Sequence, residues 1–213
     1  MTAVDDTVLM RRDERFGYQC HRCLRCCRDK RIQLNPYEVA RLARHRGITT
    51  TEFRRTATVG GRGVELARTA DNACVFLGSE GCTVHADRPL VCRIYPLGRL
   101  FNPDRGESFE HVEPHPRSAG ERHTRGTIAD FLGEQAAEPY IAAADAYLAW
   151  LNAAMARLRA AGAGDTAVAA APLDDSELLD MDAALAAHGE VSDDIEVRRD
   201  LHLAILHRHL VPA

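Results

Sequence analysis

Cys20-His21-Arg22-Cys23-Leu24-Arg25-Cys26-Cys27 places four thiols within eight residues. Thiolates that close repel one another, and a soft cation is what holds such a set together. The chemistry indicated by this run is metal binding. Three more cysteines, Cys74, Cys82 and Cys92, lie downstream. A loop of roughly fifty residues must therefore close to bring the two segments onto one site or a pair of sites, at an entropic cost of only a few kcal/mol. A structural metal returns on the order of 10 kcal/mol, which exceeds that cost.

Spacing bears on which metal. Three cysteines as C-x-x-C-x-x-C, here Cys20, Cys23 and Cys26, form the run that ligates [4Fe-4S] clusters in ferredoxins, with the remaining thiolate supplied from a distant segment. Zinc more often takes two separated C-x-x-C pairs, whereas seven and nine residues separate the downstream cysteines. The ferredoxin pattern is itself incomplete, because Cys27 directly follows Cys26 and no Cys-Pro closes the motif. Seven thiols exceed the four that one zinc or one cubane requires. Either some are spare or there are two sites, the second completed by His85 or His115. The radical-SAM spacing is absent: Cys23 and Cys27 stand at its first interval, but Lys30 occupies its third position. Two readings stay open, an iron–sulfur cluster serving redox chemistry, metal handling or an associated modification reaction, and a structural zinc (Zn2+) interaction module.

The downstream cysteines need a scaffold. Cys74-Val75-Phe76-Leu77 and Cys82-Thr83-Val84 flank the turn Gly78-Ser79-Glu80-Gly81, which predicts a hairpin with Cys74 and Cys82 near its ends. Arg88-Pro89-Leu90-Val91-Cys92-Arg93-Ile94-Tyr95-Pro96 follows. With the run at 20–27, the segments C-x-F-L, G-C-x-[VI] and R-P-x-x-C-R-x-Y-P resemble the YkgJ-type cysteine-cluster family, the CxxCxxCC putative zinc- or iron-chelating domain, over about residues 18 to 100. The resemblance implies metal chelation by Cys20, Cys23, Cys26, Cys27, Cys74, Cys82 and Cys92. Some members carry a further cysteine in the loop after this region, where this chain offers His111, His115 and His123; His115 is the candidate eighth ligand. The family's cysteine cluster also resembles that of flagellin lysine methylases, which implies a third reading, a cluster-dependent protein-lysine N-methyltransferase-like enzyme, although no methyl-donor motif is identified. Arg88, Arg93 and Tyr95 are candidates either to hydrogen-bond the thiolates and contact a carboxylate or phosphate, or to brace the turn.

Around the cysteines, Asn35-Pro36-Tyr37-Glu38 supplies an N-cap, a proline at the first helical position and a capping glutamate for a helix ending at Gly47. Thr49 and Glu52 repeat that spacing for a helix near 50–58, which Gly60-Gly61-Arg62-Gly63 terminates in a turn rather than a phosphate loop, since no Walker lysine follows. Segments 64–68, 97–101 and 108–112 alternate as short strands of one small sheet expected to carry the downstream cysteines. Residues 127–161 form a long helical region with Tyr140, Ala144, Tyr147, Leu148, Leu151, Met155 and Leu158 on one face. Two further helices are expected over 174–188 and 192–210. The expected architecture is α+β, with a metal-stapled core over 16–126, a mostly helical extension over 127–213, and a linker at 161–173.

Charge is unevenly distributed. Residues 11–55 hold twelve Arg and one Lys against five acids, net +8, while 174–200 hold ten acids against two Arg, net −8. The acidic helices are placed either to cover the basic region or to recruit a protein or small-molecule partner. The basic run lacks interleaved aromatics, so it does not read as a nucleic-acid surface. No apolar stretch reaches the ~18 residues of a membrane span, Met1 to Arg15 is too charged for a signal-peptide core, and the odd cysteine count argues against a disulfide scaffold. A cytoplasmic, reducing setting is expected; oligomeric state and catalysis are left open.

Overall fold

In a computed structural model, residues 9–102, 105–160 and 175–210 are described. The fold is α+β, with eight helices and three two-stranded antiparallel sheets among these residues. The expected linker at 161–173 lies outside them.

Local capping chemistry sets the first helices. Helix α1 (Pro36–Arg46) starts at Asn35, whose side chain accepts the Glu38 N–H while the Glu38 carboxylate accepts the Asn35 N–H, and it ends at Gly47 with φ 66°. Helix α2 (Thr50–Ala57) starts at Thr49, which accepts the Glu52 N–H. The expected strands at 97–101 and 108–112 form and pair with each other, but the strands as a whole are scattered over three separate pairs. β1 (Arg15–Gln19) pairs with β6 (Glu121–Thr127), β2 (Leu77–Gly78) with β3 (Gly81–Cys82), and β4 (Leu97–Asn102) with β5 (Gly106–His111). Segment 64–68 makes only isolated bridges, Glu65 to Gln33, Leu66 to Thr58 and Arg68 to Cys74. The single sheet carrying the downstream cysteines is thus corrected: Cys82 lies on β3, and Cys92 lies on the short helix α3 (Leu90–Ile94). Proline at 89 and the bonds from its carbonyl to the Cys92 and Arg93 N–H groups begin that helical turn.

The long helical region is interrupted. α4 (Ile128–Glu134) and α5 (Glu138–Ala160) are separated by a turn at Gln135–Ala137, where Ala136 adopts φ 48°. Tyr140, Ala143, Tyr147 and Trp150 form the buried stripe of α5, whereas Leu151 is exposed and Ala144, Leu148, Met155 and Leu158 are half-buried. The acidic segment also divides, into α6 (Asp175–Leu179) and α7 (Met181–Ala187) at the buried Asp180, followed by α8 (Ile195–Arg208).

Three apolar cores result. Tyr37 and Ala40 of α1 pack with Tyr140, Tyr147 and Trp150 of α5, Met181 and Leu185 of α7, and Leu203 and Leu206 of α8. Phe16, Tyr18, Ile94, Leu97, Phe109 and Phe131 form a second around β1, β4 and α4. Ile32, Leu34, Val39, Leu42, Phe53 and Phe76 form a third, against which Cys74, Cys82 and Cys92 pack. Each large side chain buried there contributes about 1.5–3 kcal/mol. The acidic helices cover the basic ones: Asp180 accepts from the Thr50 hydroxyl at 2.6 Å and from Arg54 at 3.2 Å, and Tyr37 donates to Glu196 at 2.5 Å.

Candidate metal centre

The two cysteine segments are clasped by their main chains. The Cys74 N–H donates to the Cys27 carbonyl at 2.9 Å, the Asp29 N–H donates to the Asn72 carbonyl at 3.0 Å, and Arg28 forms a bridge with Ala73. The run itself is a tight loop closing in a 3-10 turn at Arg25–Cys27, and its backbone is left-handed at Arg22 (φ 50°) and Leu24 (φ 65°) on either side of Cys23. Such conformations cost energy in non-glycine residues and persist where surrounding contacts impose them. β2 and β3 place Cys82 opposite Leu77, confirming the hairpin in a minimal form, while Cys74 precedes it.

All seven cysteines line one cavity of about 290 Å³. His85 lines it as well. His115 is not among its lining residues; the His115 Nδ1 accepts the Arg117 N–H at 3.0 Å and its own N–H donates to the Tyr95 hydroxyl at 3.1 Å. The thiols sense one another. Cys27 donates to Cys26, which lowers the proton affinity of Cys26 and raises that of Cys27, with burial adding to the rise at Cys27. Burial pushes Cys74, Cys82 and Cys92 up, and the charges of neighbouring thiolates push them further. Burial also raises Cys23, but hydrogen bonds from the Ala119 and Arg25 N–H groups and the Ser118 hydroxyl outweigh it and leave Cys23 lowered. Among the described residues, no three His, Cys, Asp or Glu side chains already stand as a coordination shell. The donor set nonetheless fits a thiophilic metal: seven soft donors face one cavity, and their mutual repulsion as thiolates is the charge a cation would neutralise.

N–H groups are aimed at sulfur. Ala119 donates to Cys23 Sγ at 3.4 Å, and Arg22 donates to Cys20 Sγ at 3.4 Å. The Ser118 hydroxyl bonds Tyr18 at 3.0 Å and reaches Cys23 Sγ at 4.0 Å. Tyr18, Ser118 and Ala119 were not candidates from sequence; the signal that could have found them is Ser118-Ala119-Gly120, small residues that let a loop lie against a thiol. A Cβ on Gly120 would stand 1.9 Å from Tyr18 Oη, so only glycine permits that approach. Lys30 lies 5.3 Å over the Tyr95 ring and helps lower Cys26.

The two arginines divide the roles expected of them. Arg93 is a brace: its guanidinium donates to the carbonyls of Gln135 and Ala86, each at 2.7 Å, and to the Tyr140 hydroxyl at 2.9 Å. Arg88 bonds the His85 carbonyl and Gln135 Oε1, each at 2.7 Å, and faces the thiols of Cys92, Cys82 and Cys20. Helix α3 is fixed from behind by the buried Glu38 carboxylate, which accepts the Leu90 N–H at 2.8 Å. Among the described residues no helix is long and apolar enough to cross a membrane.

Residues 19–114 match the model of the family CxxCxxCC, described as "Putative zinc- or iron-chelating domain". No curated protein and no solved structure matches the chain.

Proposed function

We propose, on the premise that residues 19–114 belong to the zinc- or iron-chelating CxxCxxCC family, that this chain holds an iron–sulfur cluster of the [4Fe-4S] type on thiolates of its seven cysteines. The observation that carries the reading is that seven thiols from two segments line one cavity of about 290 Å³. A single tetrahedral zinc holds its four donors at about 2.3 Å and leaves such a space unfilled, whereas a four-iron cluster, which also takes four thiolates, fills more of it. The C-x-x-C-x-x-C run with thiolates from a remote segment also suits a cubane. Four of Cys20, Cys23, Cys26, Cys27, Cys74, Cys82 and Cys92, drawn from both segments, would hold the cluster.

When bound, such a cluster supplies one-electron transfer or a Lewis-acidic iron. The chain's own contribution is to orient and to tune. The Ala119 and Arg22 N–H groups stabilise thiolate charge at Cys23 and Cys20, Arg88 and Lys30 add positive charge, and Tyr18, Tyr95, Val112 and Ser118 line the cavity beside them.

The test is anaerobic purification with iron, sulfide and zinc measured per chain beside the visible spectrum. About four iron and four sulfide with a broad band near ~400 nm support the cluster; colourless protein with one or two zinc replaces it with the structural zinc module. The methyltransferase-like reading rests on resemblance alone, and absence of S-adenosylmethionine binding in calorimetry removes it.

A further inference from the structure

Among the described residues, four of the five cations that line the cysteine cavity make no ion pair with a carboxylate. Arg22, Lys30, Arg31, Arg88 and Arg93 line it, against one lining acid, Glu80, among the described residues. Of the five, Arg31 is paired, with Glu65 at 2.6 Å. Half-buried arginines elsewhere have carboxylates: Arg41 has Asp87 at 2.8 Å, Arg54 has Asp180 at 3.2 Å and Arg99 has Asp145 at 2.7 Å. Every hydrogen-bond partner of Arg88 and Arg93 is neutral. Arg93 has the charge of the buried Glu38 carboxylate nearby, but the half-buried Arg88 has no carboxylate, and placing a guanidinium there without counter-charge is costly, so the cavity is built for negative charge.

A metal held by four thiolates carries about two negative charges, for zinc or for an oxidised cubane. Lys30, whose charge acts on Cys26, and Arg88, whose charge acts on Cys92, Cys82 and Cys20, match those two, and Arg22 remains. The surplus has a location. Arg22 stands at the exposed mouth, and its charge, with those of Arg88 and Arg93, adds to burial in lowering the proton affinity of His85. Arg88 donates to His85 Nδ1 at 3.2 Å, and an arginine can only donate, so the proton of the neutral ring lies on Nε2. Nε2–H has no partner among the described residues, and in this tautomer it is a donor rather than a metal ligand. Arg22 has no side-chain partner there either, and Arg88 keeps N–H groups beyond those bonded to His85 and Gln135.

We propose that Arg22, Arg88 and the His85 Nε2–H form an oxyanion subsite at the mouth of the cysteine cavity, which takes the carboxylate or phosphate group of a small molecule beside the metal centre. It deepens the metal-centre reading by naming the chemical class of what the centre meets, and it reassigns His85 from ligand to donor. Guanidinium forks suit both headgroups.

The test is isothermal titration at low ionic strength of the protein as purified, with inorganic phosphate and separately with malonate, and with metal content measured in every sample. Saturable one-to-one binding of either probe is expected, weakened about tenfold in Arg22→Gln, as for loss of one charge-assisted contact. Arg22 makes no side-chain contact whose loss would unfold the protein, which protects the test from the larger disturbance expected of Arg88→Gln. Arg55→Gln, exposed on α2 and outside the cavity, should bind as wild type. The tighter probe identifies the headgroup. The proposal is overturned if neither probe saturates, if Arg22→Gln binds undiminished, as direct coordination to metal would, or if Arg55→Gln loses as much as Arg22→Gln. Protein without metal would refute the metal centre instead, and the phosphate and malonate isotherms would still be read in the same way.

Discussion

At Cys26 and Cys27 a hydrogen bond between adjacent thiols drives their proton affinities apart, Cys26 down and Cys27 up, and the chemistry of the site begins there. Cys27→Ser should lower metal per chain, because the serine hydroxyl is a poor partner for a soft cation; unchanged metal content would make Cys27 a spare thiol. Cys23 depends on the loop across the cavity mouth. Gly120→Ala would push Tyr18 and the loop apart, removing the Ala119 bond that favours the Cys23 thiolate. Alkylation of Cys23 in metal-free protein should then slow by about two- to threefold near neutral pH, since only the thiolate reacts; peptide mapping reads the rate, and an unchanged rate would detach the loop from the thiol. These residues differed in legibility. The cysteines were visible because their spacing is itself chemistry, while Tyr18, Ser118 and Ala119 act through a contact 95 residues or more along the chain, which no local pattern reports.

Among the elements, the best-read were those whose ends are set by neighbouring residues. Asn35 with Glu38 and Thr49 with Glu52 announced α1 and α2 because caps are satisfied within three residues. β1 and β6 were missed because β6 is a polar strand, with no apolar alternation, that gains its partner from a hundred residues away. The long helix was over-extended for a related reason: 3.6-residue periodicity continues across Gln135–Ala137, but Arg88 and Arg93 bond Gln135 there and hold the break. Glu38 serves two helices at once, closing the α1 cap and accepting the first N–H of α3, where Cys92 resides. Glu38→Ala should cost about 2–3 kcal/mol, as the loss of a cap plus a buried N–H left unpaired, and should lower metal content as well. Chemical denaturation beside metal analysis checks both; a stability loss with full metal loading would show that α3 is not positioned through Glu38.

Across the whole molecule, the acidic C-terminal helices lie on the basic N-terminal ones, so part of the charge asymmetry is met internally, by Arg54 with Asp180 and Arg41 with Glu196. Asp180 is the buried joint. Asp180→Ala would leave Arg54 uncompensated and should cost about 3–5 kcal/mol, seen as a lower denaturation midpoint; a change under 1 kcal/mol would mean that the joint is marginal. His202 gives this half a pH response. Burial lowers its proton affinity below the usual 6.5, despite its bond to the Glu177 carbonyl and the nearby charges of Asp180 and Glu177. The unfolded chain therefore takes up the proton first as pH falls, and stability present above about 6.5 is lost below it. Metal-free, reduced protein should show a lower denaturation midpoint at pH 5.5 than at pH 7.5, with a smaller difference in His202→Gln. The clasp between Cys27 and Cys74 has a different reach. It is made of main-chain bonds, so folding itself meets part of the entropy of drawing the remote thiols together. A metal arriving at thiols already held near one another loses less of its binding energy to closing the loop and keeps more of it as affinity.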